Sequence, residues 1–262
     1  MREAQRRSNL WLNPTYVRLP RSLRSLAMTN NNMISIIIPV YNQAEHLANC
    51  LAGIKKQTYG NYEIIVVDDG STDNIIKVIE KFKQIFGLKL SYTEQENRGA
   101  AAARNKGAKL AGGEYIIFCD ADAVMKPFML EVMLKTLKNN LSASFCYSSF
   151  IWGRKKFKLW PFDAEKLKEM PYITTTSLIK REHFPGFDEA IKKFQDWDLW
   201  LTMLEQGHTG VFADQILFKL ALGGTQTMSG WLPSCAYKLF PWLPRVKKYN
   251  QAMAIIKQKH NL

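Results

Sequence analysis

The sequence predicts an α/β protein with a Rossmann-like, mostly parallel central sheet flanked by helices. Three observations carry this. Apolar runs of strand length recur near residues 34–40, 63–67 and 115–119, each suited to a strand buried on both faces. The segments between them place apolar residues three and four apart, the spacing of one helix face. Each run stops abruptly on polar or acidic residues. Strands alternating with helices in this way build a parallel sheet with right-handed crossovers.

Ile34 to Val40 is the first strand. Asn42 with Glu45 three residues on resembles a capping box, opening a helix whose inner face is Leu47, Cys50, Leu51 and Ile54. Glu63 to Val67 is the second strand. Asp73 is expected to cap the next helix, with Ile75, Ile76, Ile79, Phe82 and Phe86 inward and Gly87 closing it. Leu88, Leu90 and Tyr92 alternate as a third strand, and Ala100 to Leu110 is an alanine-rich helix ended by Gly112 and Gly113. Tyr115 to Cys119 is the fourth strand. Beyond it the pattern loosens. A helix is expected from Pro127 to about Asn139, a strand over Ser144 to Ile151 and a short helix over Asp163 to Met170. Trp152 to Trp160 is basic and aromatic, and Ile173 to Ile179 is β-prone. A last helix over Asp196 to Gln206 turns Trp197, Trp200, Leu201 and Leu204 inward.

With 262 residues and 47% hydrophobic content, the chain is long enough for one large domain with appendages. No apolar stretch reaches the ~18 residues of a spanning helix, and the N-terminus lacks a signal-peptide pattern. The four cysteines have no paired or metal-type spacing and read as reduced, mostly buried thiols of a cytoplasmic protein. The net charge of +13 is concentrated at the ends: residues 1–32 carry +5, residues 231–262 carry +6, and the body is left at +2. That distribution argues against nucleic acid as a partner and for tails near an anionic surface.

The chemistry gathers where strands end. The fourth strand runs into Asp120-Ala-Asp122, two carboxylates of the kind that hold a divalent ion together with phosphate oxygens. The first strand ends in Pro39-Val-Tyr41-Asn42 and the second in Asp68-Asp69-Gly70-Ser71-Thr72-Asp73. Tyr41 suits stacking on a base, and Asp68 or Asp69 suits a base N–H or a ribose hydroxyl. In open α/β sheets, ligands bind in the crevice outside such strand ends. There is no G-x-G-x-x-G after the first strand, which argues against a dinucleotide site.

The motifs Ser35-Ile-Ile-Ile-Pro-Val-Tyr-Asn42, Ile65-Val-Val-Asp-Asp-Gly-Ser-Thr-Asp73, Asn97-Arg-Gly-Ala, Ala103-Arg-Asn-Lys-Gly107 and Asp120-Ala-Asp122, in this order over about residues 33–125, resemble the family 2 glycosyltransferases of the GT-A fold. Downstream, Gly186-Phe-Asp-Glu189 and Gln195-Asp-Trp-Asp-Leu-Trp-Leu201 are similar to that family's acceptor-side segment. The resemblance implies a single catalytic domain over residues 33–225, with a nucleotide-sugar half (33–125) and an acceptor half (126–225). A basic N-terminal extension (1–32), expected to be disordered, and a basic, aromatic C-terminal helical extension (226–262) flank it.

It further implies inverting transfer from a nucleotide-diphosphate sugar to a saccharide, with manganese or magnesium held by Asp122 and Asp120. Pro39, Tyr41, Asp68, Asp69, Arg104 and Asp120 would line the donor site, and Asp196 would be the general base. Two departures stand out. The family's usual Glu-Asp pair is Gln195-Asp196 here, and the segment Lys219 to Thr225 lacks the histidine that many relatives offer the metal. His208, the nearest histidine, reads as a helix C-terminal cap, and Asp198 is expected to face away or cap a turn. The Gln-x-x-Arg-Trp signature of processive synthases is absent. The rings and cations of residues 231–248 suit an anionic membrane surface, which points to a peripheral protein on the inner membrane face acting on a lipid-linked saccharide. The rival reading is an inactive relative that binds nucleotide or glycan as a scaffold.

Overall fold

The computed structural model of the chain describes residues 32–221 and 242–262. The N-terminal extension, and most of the segment expected to meet a membrane, lie outside the described residues.

The first half follows the expected alternation: β1 (Ile34–Val40), α1 (Ala44–Ile54), β2 (Tyr62–Asp68), α2 (Ile75–Phe86), β3 (Leu90–Glu94), α3 (Ala100–Leu110) and β4 (Tyr115–Phe118). After it come β5 (Ala123–Met125), α4 (Met129–Lys138), β6 (Ala143–Trp152), β7 (Lys155–Phe157), α5 (Ala164–Glu169), β8 (Leu178–Lys180), α6 (Gln195–Glu205), β9 (Thr209–Leu220) and α7 (Pro244–Lys259). One sheet holds all nine described strands, in the order β3-β2-β1-β4-β8-β6-β9-β5, with β7 paired to β6. β3, β2, β1 and β4 are parallel neighbours, while β8 runs antiparallel between β4 and β6. The sheet is therefore parallel in the first half of the chain and mixed in the second.

Strand alternation divides the core into two layers. Ile36, Ile38, Val66 and Ile117 face α1, α2 and α4, whereas Ile37, Val67, Phe118 and Phe145 face α3 and α6. α3 reaches the sheet closely because it carries alanines and Gly107: a Cβ on Gly107 would stand 2.4 Å from Cγ2 of Ile37. Gly113, expected only to end a helix, also serves packing, since a Cβ there would lie 2.6 Å from the Met33 carbonyl oxygen.

Several local expectations are corrected. The capping box at Asn42 and Glu45 does not form; Asp73 instead accepts from the Ala44 amide at 2.8 Å, capping α1 across the loop rather than α2. Asn42 adopts a left-handed φ of 51° and accepts from the Thr72 amide, while its own amide donates to Ser71 Oγ. The loops after β1 and β2 thus cap each other. Ile76 is exposed, and Leu88 lies in a 3-10 turn before β3, fully in solvent. Of the β-prone stretch from Ile173, only Leu178–Lys180 pairs as strand.

Candidate active site

The carboxyl ends of β1, β2 and β4 and the N-terminus of α6 meet at one edge of the sheet. Asp68 ends β2, is 5% exposed, and accepts from the Ser71 amide and from the Tyr92 hydroxyl at 3.0 Å. Burial raises the Tyr92 hydroxyl pKa, so it stays a donor to that carboxylate. Asp69 has a different commitment. It accepts from the amides of Arg98 and Gly99 and from the Gln95 side chain, at 2.8–2.9 Å, and so fastens the loop entering α3. Pro39 is buried in β1 opposite Val67, and Tyr41 beyond it is 48% exposed, with its ring available at the rim.

Arg104 is the hub. It is 7% exposed, although it lies on a helix. Its guanidinium donates to Asp120 at 2.7 Å and to Gln195 Oε1 at 3.0 Å, and it lies over the Phe187 ring at 5.3 Å. One side chain of α3 therefore spans the end of β4 and the first turn of α6. Gln195 is neutral, so Asp120 is the carboxylate that pairs with Arg104 here.

Asp122 is 5% exposed, and its carbonyl accepts from the Ala221 amide at 2.9 Å, tying the end of β9 to this edge. Asp196 is in the first turn of α6, part-buried, and its carboxylate accepts from the Trp197 amide at 2.9 Å. Burial raises its pKa above the ordinary carboxylate range, opposed by that amide and by Arg104. The residue capping this helix, Phe194, holds a left-handed φ of 60°, a conformation that costs a non-glycine residue on the order of 1–2 kcal/mol. Such strain persists where packing fixes it, and Phe194 is held edge-on against Trp197 and Tyr249.

Asp198, two residues on from Asp196, is committed to the C-terminal residues rather than to Arg104 or Asp120. It is 3% exposed and receives Lys259 at 2.7 Å and His260 Nε2 at 2.9 Å, while His260 Nδ1 meets Glu205 at 2.7 Å. The C-terminal helix α7 is thereby locked onto the helix that carries Asp196. Asn105 was also not anticipated: its amide pairs with both the N–H and the C=O of Phe187. The signal was there, because asparagine is a poor residue inside a helix unless its side chain has a partner elsewhere.

His208 lies away from this edge. It follows Gly207, stacks on His183 at 4.2 Å and meets Ser144 at 3.1 Å, beside the amino ends of β6 and β9. Among the described residues, no group of three or more acidic, histidine or cysteine side chains is gathered to hold a metal ion. The oxygen set does fit a hard ion that takes one or two carboxylates and completes its shell with phosphate and water. Cys50, Cys119 and Cys146 are free and buried, as expected of structural thiols.

Residues 35–195 match the model of the family described as Glycosyl transferase family 2. An uncharacterized glycosyltransferase of Rickettsia conorii is 31% identical over 213 residues, covering 76% of this chain and 34% of that protein. Glycosyltransferase GlyG of Streptococcus pneumoniae is 40% identical over 109 residues, covering 41% of this chain and 36% of that protein. The chain thus spans about a third of the length of these curated relatives. Among solved structures, S. aureus TarS 1–349 in complex with UDP-GlcNAc aligns with a TM-score of 0.67 at 17% identity, covering 86% of this chain and 65% of that one. Mannosyltransferase PcManGT from Pyrobaculum calidifontis, in complex with GDP-Man and Mn2+, aligns at 0.58 and 19% identity, over 74% and 57%. The fold is that of the GT-A glycosyltransferases, and with its family motifs ending on the strands that form this edge, the chain belongs to glycosyltransferase family 2.

Proposed function

We propose that the chain is the catalytic domain of an inverting, hexosyl-type glycosyltransferase that uses a nucleotide-diphosphate sugar. The observation that carries this is the convergence of buried Asp68, Asp122 and Arg104 with Asp196 at a single sheet edge. The complexes of relatives with UDP-GlcNAc and with GDP-Man and Mn2+ support the donor class.

In this reading Asp68 accepts from the base or ribose, Tyr41 stacks at the rim, and Pro39 and Asp69 shape the loops around them. Arg104 faces the diphosphate, held in place by Asp120. Asp122, with the second oxygen of Asp120, would hold a manganese or magnesium ion, which when bound offsets charge on the leaving diphosphate. Asp196 takes the proton of the attacking acceptor hydroxyl, and a raised pKa suits that role. The acceptor is a saccharide, lipid-linked in the fuller reading, reached at an anionic membrane surface through residues 231–248. Exposed Trp242, Arg245, Lys247 and Lys248 support that contact. No described helix is long and apolar enough to cross a membrane.

The test is nucleotide release from a panel of uridine and guanosine diphosphate sugars with Mn²⁺ or Mg²⁺. One donor is expected to be hydrolysed slowly in metal and not in chelator, and its transferred sugar to show inverted anomeric configuration by NMR. Retained configuration would reject the mechanism, and failure to bind any nucleotide diphosphate would reject the reading.

A further inference from the structure

The segment Phe150 to Trp160 carries Arg154, Lys155, Lys156 and Lys158 and no acidic residue, in a body whose net charge is only +2. It forms the β6–β7 hairpin, and all four cations are exposed. None of the four joins an ion pair among the described residues; Lys155 lies over the Phe157 ring at 4.8 Å instead. Residues 222–241, which follow β9, contain no Asp or Glu that could neutralise them. Four unneutralised cations on one short hairpin repel one another and gain from a polyanion.

The hairpin stands beside the donor edge. Trp152 pairs with Leu220, and Leu220 with Ala123, so the hairpin's base is two strand spacings, about 10 Å, from the residue after Asp122. Its face is also the relevant one. Along β6, Phe145 and Tyr147 face the α6 side of the sheet, and Ile151 follows them at even spacing. Cross-strand partners share a face, so Lys156, Ile151 and Lys219 form a row on that side, with Lys219 exposed and outside the ion pairs of the described residues in the same way. The row runs from the hairpin to Lys219 near the end of β9, and the next residue, Leu220, pairs with Ala123 beside Asp122.

We propose that this hairpin, with Lys219, binds the phosphate groups of a phosphate-bearing acceptor saccharide and directs its hydroxyl to Asp196. Lysine recognises phosphate as a point charge without demanding fixed geometry, which suits a flexible anionic glycan. The inference rests on the glycosyltransferase reading and narrows its acceptor class.

The experiment is calorimetric binding of a short linear polyphosphate to the full chain at low and high salt. An uncharged dextran and phosphatidylglycerol vesicles serve as comparison probes, and UDP and GDP binding is measured separately. Two variants carry the same change in charge: R154E/K155E/K156E/K158E on the hairpin and R6E/R7E/R18E/R21E in the N-terminal segment. Polyphosphate is expected to bind in a salt-dependent way and dextran not at all. The hairpin variant is expected to lose at least 10-fold in polyphosphate affinity, and the N-terminal variant less than 3-fold, with nucleotide binding kept in both. Equal losses in the two variants would overturn the proposal, as would binding of vesicles but not polyphosphate through the hairpin. Loss of nucleotide binding by the unaltered chain would instead overturn the glycosyltransferase reading itself.

Discussion

Asp196 combines a raised pKa with a place in the first turn of α6, and both features have consequences that can be read separately. As the proposed general base, Asp196 would act in its deprotonated form, so the acid limb of the pH–rate profile is expected above the ordinary carboxylate range. The folded state holds this proton more tightly than the unfolded chain does. Asp196 therefore stabilises the fold below the unfolded carboxylate pKa, and that contribution is lost as pH rises through the raised value. Asp196→Asn is expected to cut turnover by about 10²-fold or more. At neutral pH it should also melt at or above the wild-type temperature. A variant that loses both activity and stability at pH 7 would show that the carboxylate is structural. At this scale the sequence singled out Asp68, Asp120, Asp122 and Asp196 as candidates by their positions after strands or at a helix start. It could not show that Asp69 is occupied by a loop some thirty residues on, because that loop's return is set by the β2–β3 crossover.

Among the elements, α3 and α7 brace the candidate site from the same layer of the core. α3 delivers Arg104 only because Gly107 lets it approach β1. Gly107→Ala would gain about 1 kcal/mol in helix propensity. Overpacking against Ile37 is expected to outweigh this, at about 1–3 kcal/mol. A lowered denaturation midpoint checks the balance, and a raised one would contradict the close packing. α7 acts through Asp198. His260→Ala leaves that buried carboxylate with Lys259, so the expected loss of about 2 kcal/mol falls below that for an unpaired buried charge. His260→Gln should recover part of it by restoring one N–H. Chemical denaturation of the two variants decides this, and equal midpoints for both and the wild type would remove the brace.

The first seven elements were legible because strand and helix periods are unbroken there. β9 was not, because its register shifts against β6 between Ala213 and Phe218 and breaks the alternation that marks a strand. α7 lies in the expected C-terminal helical extension and begins at Pro244, where a proline suits the first helical turn.

Over the whole molecule, a parallel half supplies the candidate site's edge and a mixed half adds α6 and the basic hairpin. The fold class followed from sequence because parallel strands buried on both faces are continuously apolar. The curl that brings β9 back to Asp122 did not, since it depends on a pairing a hundred residues apart. The central claim is that this edge binds a nucleotide diphosphate through Asp122 and a divalent ion. The most direct measurement is calorimetric titration of UDP and of GDP into the wild-type chain and into Asp122→Ala, with and without Mn²⁺. At least one nucleotide is expected to bind the wild type more tightly in Mn²⁺, with that gain absent in Asp122→Ala. Equal affinity and equal metal dependence in the two proteins would contradict the assignment.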